Sequence, residues 1–334
     1  MMLDLYGPSI NAFIGKLEDR FTTSFPDAGQ LERALLERAA REALETLLTC
    51  DCPYHDVHHT MLVTDAGLSI LSGRQLVRGD VQASEWLHAV IAMLYHDIGY
   101  VRGLLRGDRE GSYVADEIGN RAIPVPGATD AFLTPFHVTR SCLYVQDRFG
   151  PEQLLDTNLL ASHIEMTRFP VPADSYYQGT DSLSAMVRAA DLIGQMGDPQ
   201  YLRKLSRLYA EFVETGEAER QGYTNAGDLR ASFPEFFQDA VYPHITDALR
   251  YLSKTRDGQQ WSANLFAHVH AEQESEGLAG PERAPLRRMS SDNDAGATTP
   301  SIPAEERIKK PAAVTSINGP RSALENPRQQ QHDD

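Results

Sequence analysis

The sequence predicts an all-α domain followed by a polar, disordered C-terminal tail. Three observations carry that expectation. Apolar residues recur near the 3.6-residue period in one segment after another. Runs with the two-residue alternation of a half-buried strand are few, and no stretch repeats at a fixed period. From about Glu274 the composition turns to Pro, Ser, Ala and charge with almost no aromatic residues, too little apolar surface to offset the entropy of ordering a chain.

The elements follow in order. LERALLERAAREALETLL carries Leu31, Ala34, Leu35, Ala39, Leu44, Leu47 and Leu48 at helical spacing, so residues 1–50 read as a helical segment that packs on the core. Pro53 suits the first turn of a second helix, which Gly73 would stop. Ser84 is the expected N-cap of EWLHAVIAMLYHDIGY, apolar nearly all round and therefore central. RAIPVPGATDAFLTP reads as a loop, with Thr134 and Pro135 launching the helix FHVTRSCLYVQDRF. A helix ending in SHIEMTRF is closed by Pro170 and Pro172. DSLSAMVRAADLIGQM and PQYLRKLSRLYAEFVETG follow, then shorter helices to about Ala271. The expected organisation is residues 1–50, a main domain over 51–272, and a tail over 273–334.

Composition narrows the function. The 334 residues carry a formal charge of −16, which disfavours a nucleic acid polymer or an anionic membrane as partner. The N-terminal stretch lacks a basic region followed by an apolar core, and no apolar run reaches the ~20 residues of a membrane span. Cys50, Cys52 and Cys142 are too few and too oddly placed for a disulfide framework, and read as reduced thiols. A cytoplasmic location is the expectation; oligomeric state is left open.

Chemistry-bearing residues gather on three helices. His55 and His59, four apart, share a face with Leu62, Val63 and Ala66. His96 and Asp97 sit together late in an apolar helix, after Ala89, Val90, Ala92 and Met93. Asp191 follows Leu183 and Val187 at helical spacing and so points at the core. A buried carboxylate without a partner is very costly. One divalent cation resolves that cost for His59, His96, Asp97 and Asp191 together. Taken singly, each has a blander reading: a hydrogen-bonded core histidine, or an aspartate paired with an arginine such as Arg188.

The order H…HD…D resembles the HD superfamily of metal-dependent phosphohydrolases. Tyr54-His55-Asp56-Val57-His58-His59-Thr60 is similar to the Tyr-His-Asn-x-x-His-Ala helix of its cyclic-nucleotide phosphodiesterase branch. Ala92-Met93-Leu94-Tyr95-His96-Asp97-Ile98-Gly99 resembles the apolar run ending in His-Asp, and Arg188-Ala189-Ala190-Asp191-Leu192 the helix of the last ligand. Tyr100 stands where that branch carries a further histidine, and Asp56 where it carries asparagine; the glutamine that reads a cyclic purine has no counterpart.

The resemblance implies an HD-domain helical bundle that hydrolyses a phosphate ester or nucleotide with metal-activated water. It implies His59, His96, Asp97 and Asp191 as ligands of one divalent ion (Mn, Fe, Co, Ni, Zn or Mg), with Asp97 bridging to a second ion where there is one. His55 matches the histidine that protonates the leaving oxygen. His137 and His163 are second-metal candidates, with substrate contact or a structural role as the alternatives, and Glu165 is placed to orient His163. Arg102 and Arg168 are the phosphate-facing candidates. His58 and His88 read as structural. Two other readings stand beside the hydrolase: a di-iron HD-type oxygenase and a non-catalytic HD ligand-sensing module.

Overall fold

Helix follows helix in the computed structural model, which describes residues 6–278, with side chains to residue 274. In chain order they are α1 (Gly7–Ser24), α2 (Gln30–Leu47), α3 (Val57–Arg78), α4 (Ala83–Tyr95), α5 (His137–Phe149), α6 (Thr157–Glu165), α7 (Leu183–Met196) and α8 (Tyr201–Glu214). The short α9 (Glu217–Gln221), α10 (Ala226–Ala231) and α11 (Phe233–Phe236) lead to α12 (Tyr242–Leu252) and α13 (Arg256–Leu278). The chain is all-α, as its periodicity predicts. Among the described residues no helix is long and apolar enough to cross a membrane.

The centre of the fold is α3 packed along α7, with α4 lying on both. A Cβ on Gly194 of α7 would lie 2.5 Å from the Val63 Cα of α3, and one on Gly67 would strike Met93 and the Ala190 Cβ. Only glycine lets these backbones approach so closely. Every residue of α4 from Trp86 to Tyr95 is buried, and burying each large apolar side chain stabilises the fold by about 1.5–3 kcal/mol. The N-terminal helices belong to the same core: Leu17, Phe21, Leu36, Ala40 and Leu44 are fully buried in it.

Between α4 and α5 the chain makes an excursion that holds a small hairpin, Tyr113–Val114 paired antiparallel with Arg121–Ala122. Two-residue strands leave no alternation to read in a sequence. Arg140 of α5 staples this excursion from a fully buried position. Its guanidinium pairs with Asp108 at 2.9 Å and donates to the carbonyls of Gly99, Val101 and Val114. Every partner of that charge is internal, so the turn after Asp97 is fixed to the helix that begins at His137.

Several expected boundaries move, each for a visible reason. α3 starts at Val57, capped by Asp56, which accepts the His59 N–H. Pro53 stays in the preceding loop because the Tyr54 and His55 N–H groups turn to a carboxylate on α8. Gly73 does not stop α3: a Cβ there would lie 2.0 Å from the Tyr251 carbonyl of α12, so this glycine serves close packing. The stop is Gly79, at φ +63°. α4 is capped by a Gln82/Glu85 box rather than by Ser84, and α5 starts at His137, with Phe136 rather than Thr134 in the capping position. GYTNAGDLR contains the short α10. At the C-terminal end α13 carries helix through residues 273–278, which the sequence assigned to the tail; the remainder of that tail lies outside the described residues.

Candidate metal centre

The segments that carry the candidate ligands meet where α3, the end of α4 and α7 come together. His59 lies one turn before Val63, and Asp191 one turn before Gly194, so the glycine contact sets their separation. His96 is the C-cap of α4, and Asp97 turns the chain into the 3-10 turn Ile98–Tyr100.

Donor atoms of His59, His96 and Asp191 lie within 4.8 Å of one another, and Asp97 sits against both imidazoles. His59 Nε2 lies 3.3 Å from Asp97 Oδ2 and 3.4 Å from Asp191 Oδ1. His96 Nε2 lies 3.2 Å from Asp97 Oδ2 and 3.5 Å from Asp191 Oδ1. Adjacent donors on an ion with bonds of about 2.1 Å sit roughly 3.0–3.4 Å apart, so these spacings fit a shared cation. Hydrogen bonding does not satisfy the cluster from within: His59 Nε2, His96 Nε2 and Asp97 Oδ2 are buried and without a hydrogen-bond partner. Each such atom costs about 1–3 kcal/mol if left so. The His96 Nδ1–H donates to the Met93 carbonyl at 2.8 Å, which turns the Nε2 lone pair toward the carboxylates.

The charge pattern agrees. Burial opposes ionisation of all four groups, yet the imidazoles hold both carboxylates well below the usual range and the carboxylates hold both imidazoles above theirs. The two carboxylates thus draw positive charge to the meeting point, onto the imidazoles or onto a cation that leaves the rings neutral. Among the described residues no lysine or arginine lies within 4.0 Å of Asp97 or Asp191. Arg188, the obvious ion-pair partner for Asp191, instead donates to the carbonyls of Tyr177 and Gly179. Two neutral imidazoles and two carboxylates sum to −2, which a divalent cation cancels.

His55 stands beside the four without joining them. Its Nδ1 meets Glu211 Oε2 at 2.5 Å, while Glu211 Oε1 accepts the Tyr54 and His55 N–H groups at 2.6 and 3.1 Å. Burial disfavours the imidazolium, but Glu211 outweighs it and raises the His55 pKa to about 9, with Asp97 and Asp191 adding to the rise. Glu211 was not singled out from the sequence. Its signal was available: on α8 it follows the buried Tyr201, Leu205 and Leu208 at helical spacing, a carboxylate on an apolar stripe.

The other candidates divide. His137 comes near: its Nε2 lies 3.7 Å from Asp97 Oδ1, and its Nδ1–H donates to the Thr134 carbonyl at 2.6 Å. Burial lowers its pKa to about 4, so the ring is neutral and its Nε2 lone pair is free. His163 does not join the cluster. Its Nδ1 meets the Ser184 hydroxyl at 2.7 Å, two turns before Asp191 on α7, and burial lowers its pKa to about 4. Glu165 does not orient it, being paired with Arg168 and Tyr177. Arg168 is thereby occupied, and Arg102 is held by Asp51 and Asp130, so neither guanidinium is left for a phosphate. His58 accepts from Lys204, and His88 from the Asp156 N–H, as structural groups.

Asp191, His55 and His137 keep 17%, 18% and 18% of their side-chain surface exposed, against 4% or less for His59, His96 and Asp97. The centre therefore opens on that side. A surface cavity of about 340 Å³ beside Lys204 and Arg207 has none of these groups in its lining.

A family model described as Npun_R2479-like matches residues 6–275, most of the chain. The chain belongs to the Npun_R2479-like family. The match takes in every residue of the centre, together with His55, Glu211 and His137, and ends within α13. No curated protein matches the chain.

Proposed function

We propose that this member of the Npun_R2479-like family is a metal-dependent phosphohydrolase of the HD type, acting on a small phosphate ester or nucleotide. The observation that carries the reading is the grouping of His59, His96 and Asp191, with Asp97 against both imidazoles, and the buried His59 Nε2, His96 Nε2 and Asp97 Oδ2 without a hydrogen-bond partner among the described residues. Mixed imidazole and carboxylate donors suit Mn, Fe, Co, Ni, Zn or Mg. When bound, such an ion polarises phosphoryl oxygens and lowers the pKa of water.

The chain's own residues supply the rest. His55 is charged near neutral pH, lies at the exposed edge of the centre, and offers its Nε2–H to a departing oxygen. Glu211 holds that ring by Nδ1 and restores its charge after the proton is given. Asp97 and Asp191 balance the cation, so the site presents little net negative charge to an anionic ester. With Arg102 and Arg168 both engaged by carboxylates, recognition of phosphate falls to the metal and His55, which favours small substrates.

The position of His163 weighs against the di-iron oxygenase reading, since it leaves His137 as the one extra imidazole near Asp97. The Glu211–His55 pair weighs against a purely ligand-sensing module, which has no need of a charged proton donor. The test is a metal-supplemented screen against phosphate esters and nucleotides, with elemental analysis of the same sample. Expected is turnover that needs metal, with His55→Ala keeping the metal but slowing turnover roughly 10²–10⁴-fold. Absence of turnover with any metal would refute the reading; loss of metal in His55→Ala would make that residue a ligand.

A further inference from the structure

Tyr100 follows Asp97 by three residues and is almost completely buried, yet its ring does not simply fill core space. It lies face to face with His55 on one side, at a centroid distance of 4.9 Å and an interplanar angle of 18°. On the other side it lies face to face with His137, at 4.3 Å and 13°. The three rings form one stack, and its two outer members are the two imidazoles exposed at the mouth of the metal centre. Each is tied at its own far end, His55 to Glu211 and His137 to the Thr134 carbonyl. The Tyr100 hydroxyl faces the Thr134 side chain, which ties the middle ring to the same turn as His137.

We infer that Tyr100 is a positioning residue for the proposed hydrolysis, a spacer that keeps the His55 and His137 imidazoles parallel and apart. The Nδ1 of each imidazole is already engaged, so each presents its Nε2 edge at the same mouth, and two such edges brought together satisfy each other by a direct hydrogen bond. Such a bond would hold the His55 proton on His137 and away from the substrate's leaving oxygen. It would also pull His137 Nε2 off Asp97. A flat ring prevents it by occupying the space between them while leaving both outer edges open. The inference rests on the hydrolase reading for the role of His55, but the stack itself can be tested without any turnover.

The experiment uses the full-length protein and the variants Tyr100→Phe, which keeps the ring, and Tyr100→Leu, which removes it. Imidazole NMR signals of His55 and His137 are assigned with His→Gln variants. Wild type and Tyr100→Phe should show contacts from the residue-100 ring to both imidazoles. Tyr100→Leu should show a direct contact between the two imidazoles. With Mn²⁺ and phenyl phosphate as the probe, Tyr100→Leu should lower kcat by roughly 10-fold to 100-fold, the usual cost of misplacing a reacting group by about 1 Å. KM and metal content should stay within about 2-fold of wild type, and Tyr100→Phe should retain most of kcat. Equal damage by the two variants, or unchanged imidazole signals in Tyr100→Leu, would overturn the inference. If Tyr100→Leu does not fold, the wild-type spectrum decides: absence of ring contacts from Tyr100 to either histidine overturns it. If no form hydrolyses any phosphate ester or nucleotide of the screen with any metal while the contacts are present, the hydrolase reading fails and the spacing role in the stack stands.

Discussion

Gly194→Ala tests how the packing of the fold sets the metal centre. A Cβ at this position would lie 2.5 Å from Val63 Cα, 2.8 Å from its N and 3.1 Å from the Leu62 carbonyl carbon. All three are α3 backbone atoms, so no side chain can swing aside. Carbon atoms rest about 3.5–4.0 Å apart, so α3 and α7 must separate by about 1 Å or more. His59 and Asp191 lie one turn from the contact on either helix, and their donor atoms are 3.4 Å apart. Adding about 1 Å brings them to about 4.4 Å, whereas opposite donors on an ion with bonds of about 2.1 Å can be at most about 4.2 Å apart. One methyl group should therefore cost about 1–3 kcal/mol in overpacking and also weaken metal binding. The assay is calorimetric melting of the apo and metal-loaded forms, with metal titration by isothermal calorimetry. The apo melting temperature should fall by about 2–4 °C per kcal/mol, and the metal-induced rise in melting temperature should shrink. Gly15→Ala on α1 is the control: a Cβ there meets nothing within 4 Å, so it should stabilise by about 0.5–1 kcal/mol through helix propensity. A Gly194→Ala protein that melts and binds metal as wild type does would refute the link between the helix contact and the site.

Three further outcomes follow from named contacts. Glu211→Gln keeps an oxygen for the Tyr54 and His55 N–H groups but loses the charge; it should cost about 1.5–3 kcal/mol, the range for a hydrogen bond to a charged group. Because the His55 pKa is raised from 6.5 to about 9, its share of that stability is full below pH 6.5 and is lost as pH rises through about 9. The Glu211 pKa is lowered from 4.5, so its share is present above 4.5 and is lost as pH falls through the depressed value; melting curves across pH read the whole window. Asp97→Ala should abolish metal content and turnover together, read by elemental analysis and phosphate release, and retention of stoichiometric metal would remove Asp97 from the ligand set. Truncation after Leu278 should leave metal content and turnover unchanged. A cut after Ala271, which composition alone suggests as harmless, removes the buried Glu272 that Arg230 grips and should lower the melting temperature.

The parts legible in the sequence were those written locally. The spacing from Leu183 and Val187 to Asp191 suffices to place that carboxylate toward the core. The His96-Asp97 pair declares itself as two polar groups directly after an apolar run, and the structure ends α4 there, at Tyr95, rather than carrying the helix on to Tyr100. What the sequence did not reveal depends on partners distant along the chain. Pro53 looks like a helix start because nothing nearby shows that Glu211, 156 residues beyond His55, claims the N–H groups beside it. Gly73 looks like a helix stop because the Tyr251 carbonyl that requires it lies on α12. Arg102 and Arg168 look free until Asp51, Asp130 and Glu165 are placed beside them. His163 shares the sequence interval of His137, but α6 delivers it to Ser184 rather than to Asp97.

The most direct measurement is a crystal structure of the protein grown with Mn²⁺, with anomalous diffraction used to locate the ion. Expected is one strong anomalous peak about 2.0–2.3 Å from His59 Nε2, His96 Nε2 and carboxylate oxygens of Asp97 and Asp191, with the Arg188 side chain still turned to Tyr177 and Gly179. A peak elsewhere on the chain, or none here with the four side chains hydrogen-bonded to one another or to water, would contradict the assignment of this cluster as a metal centre.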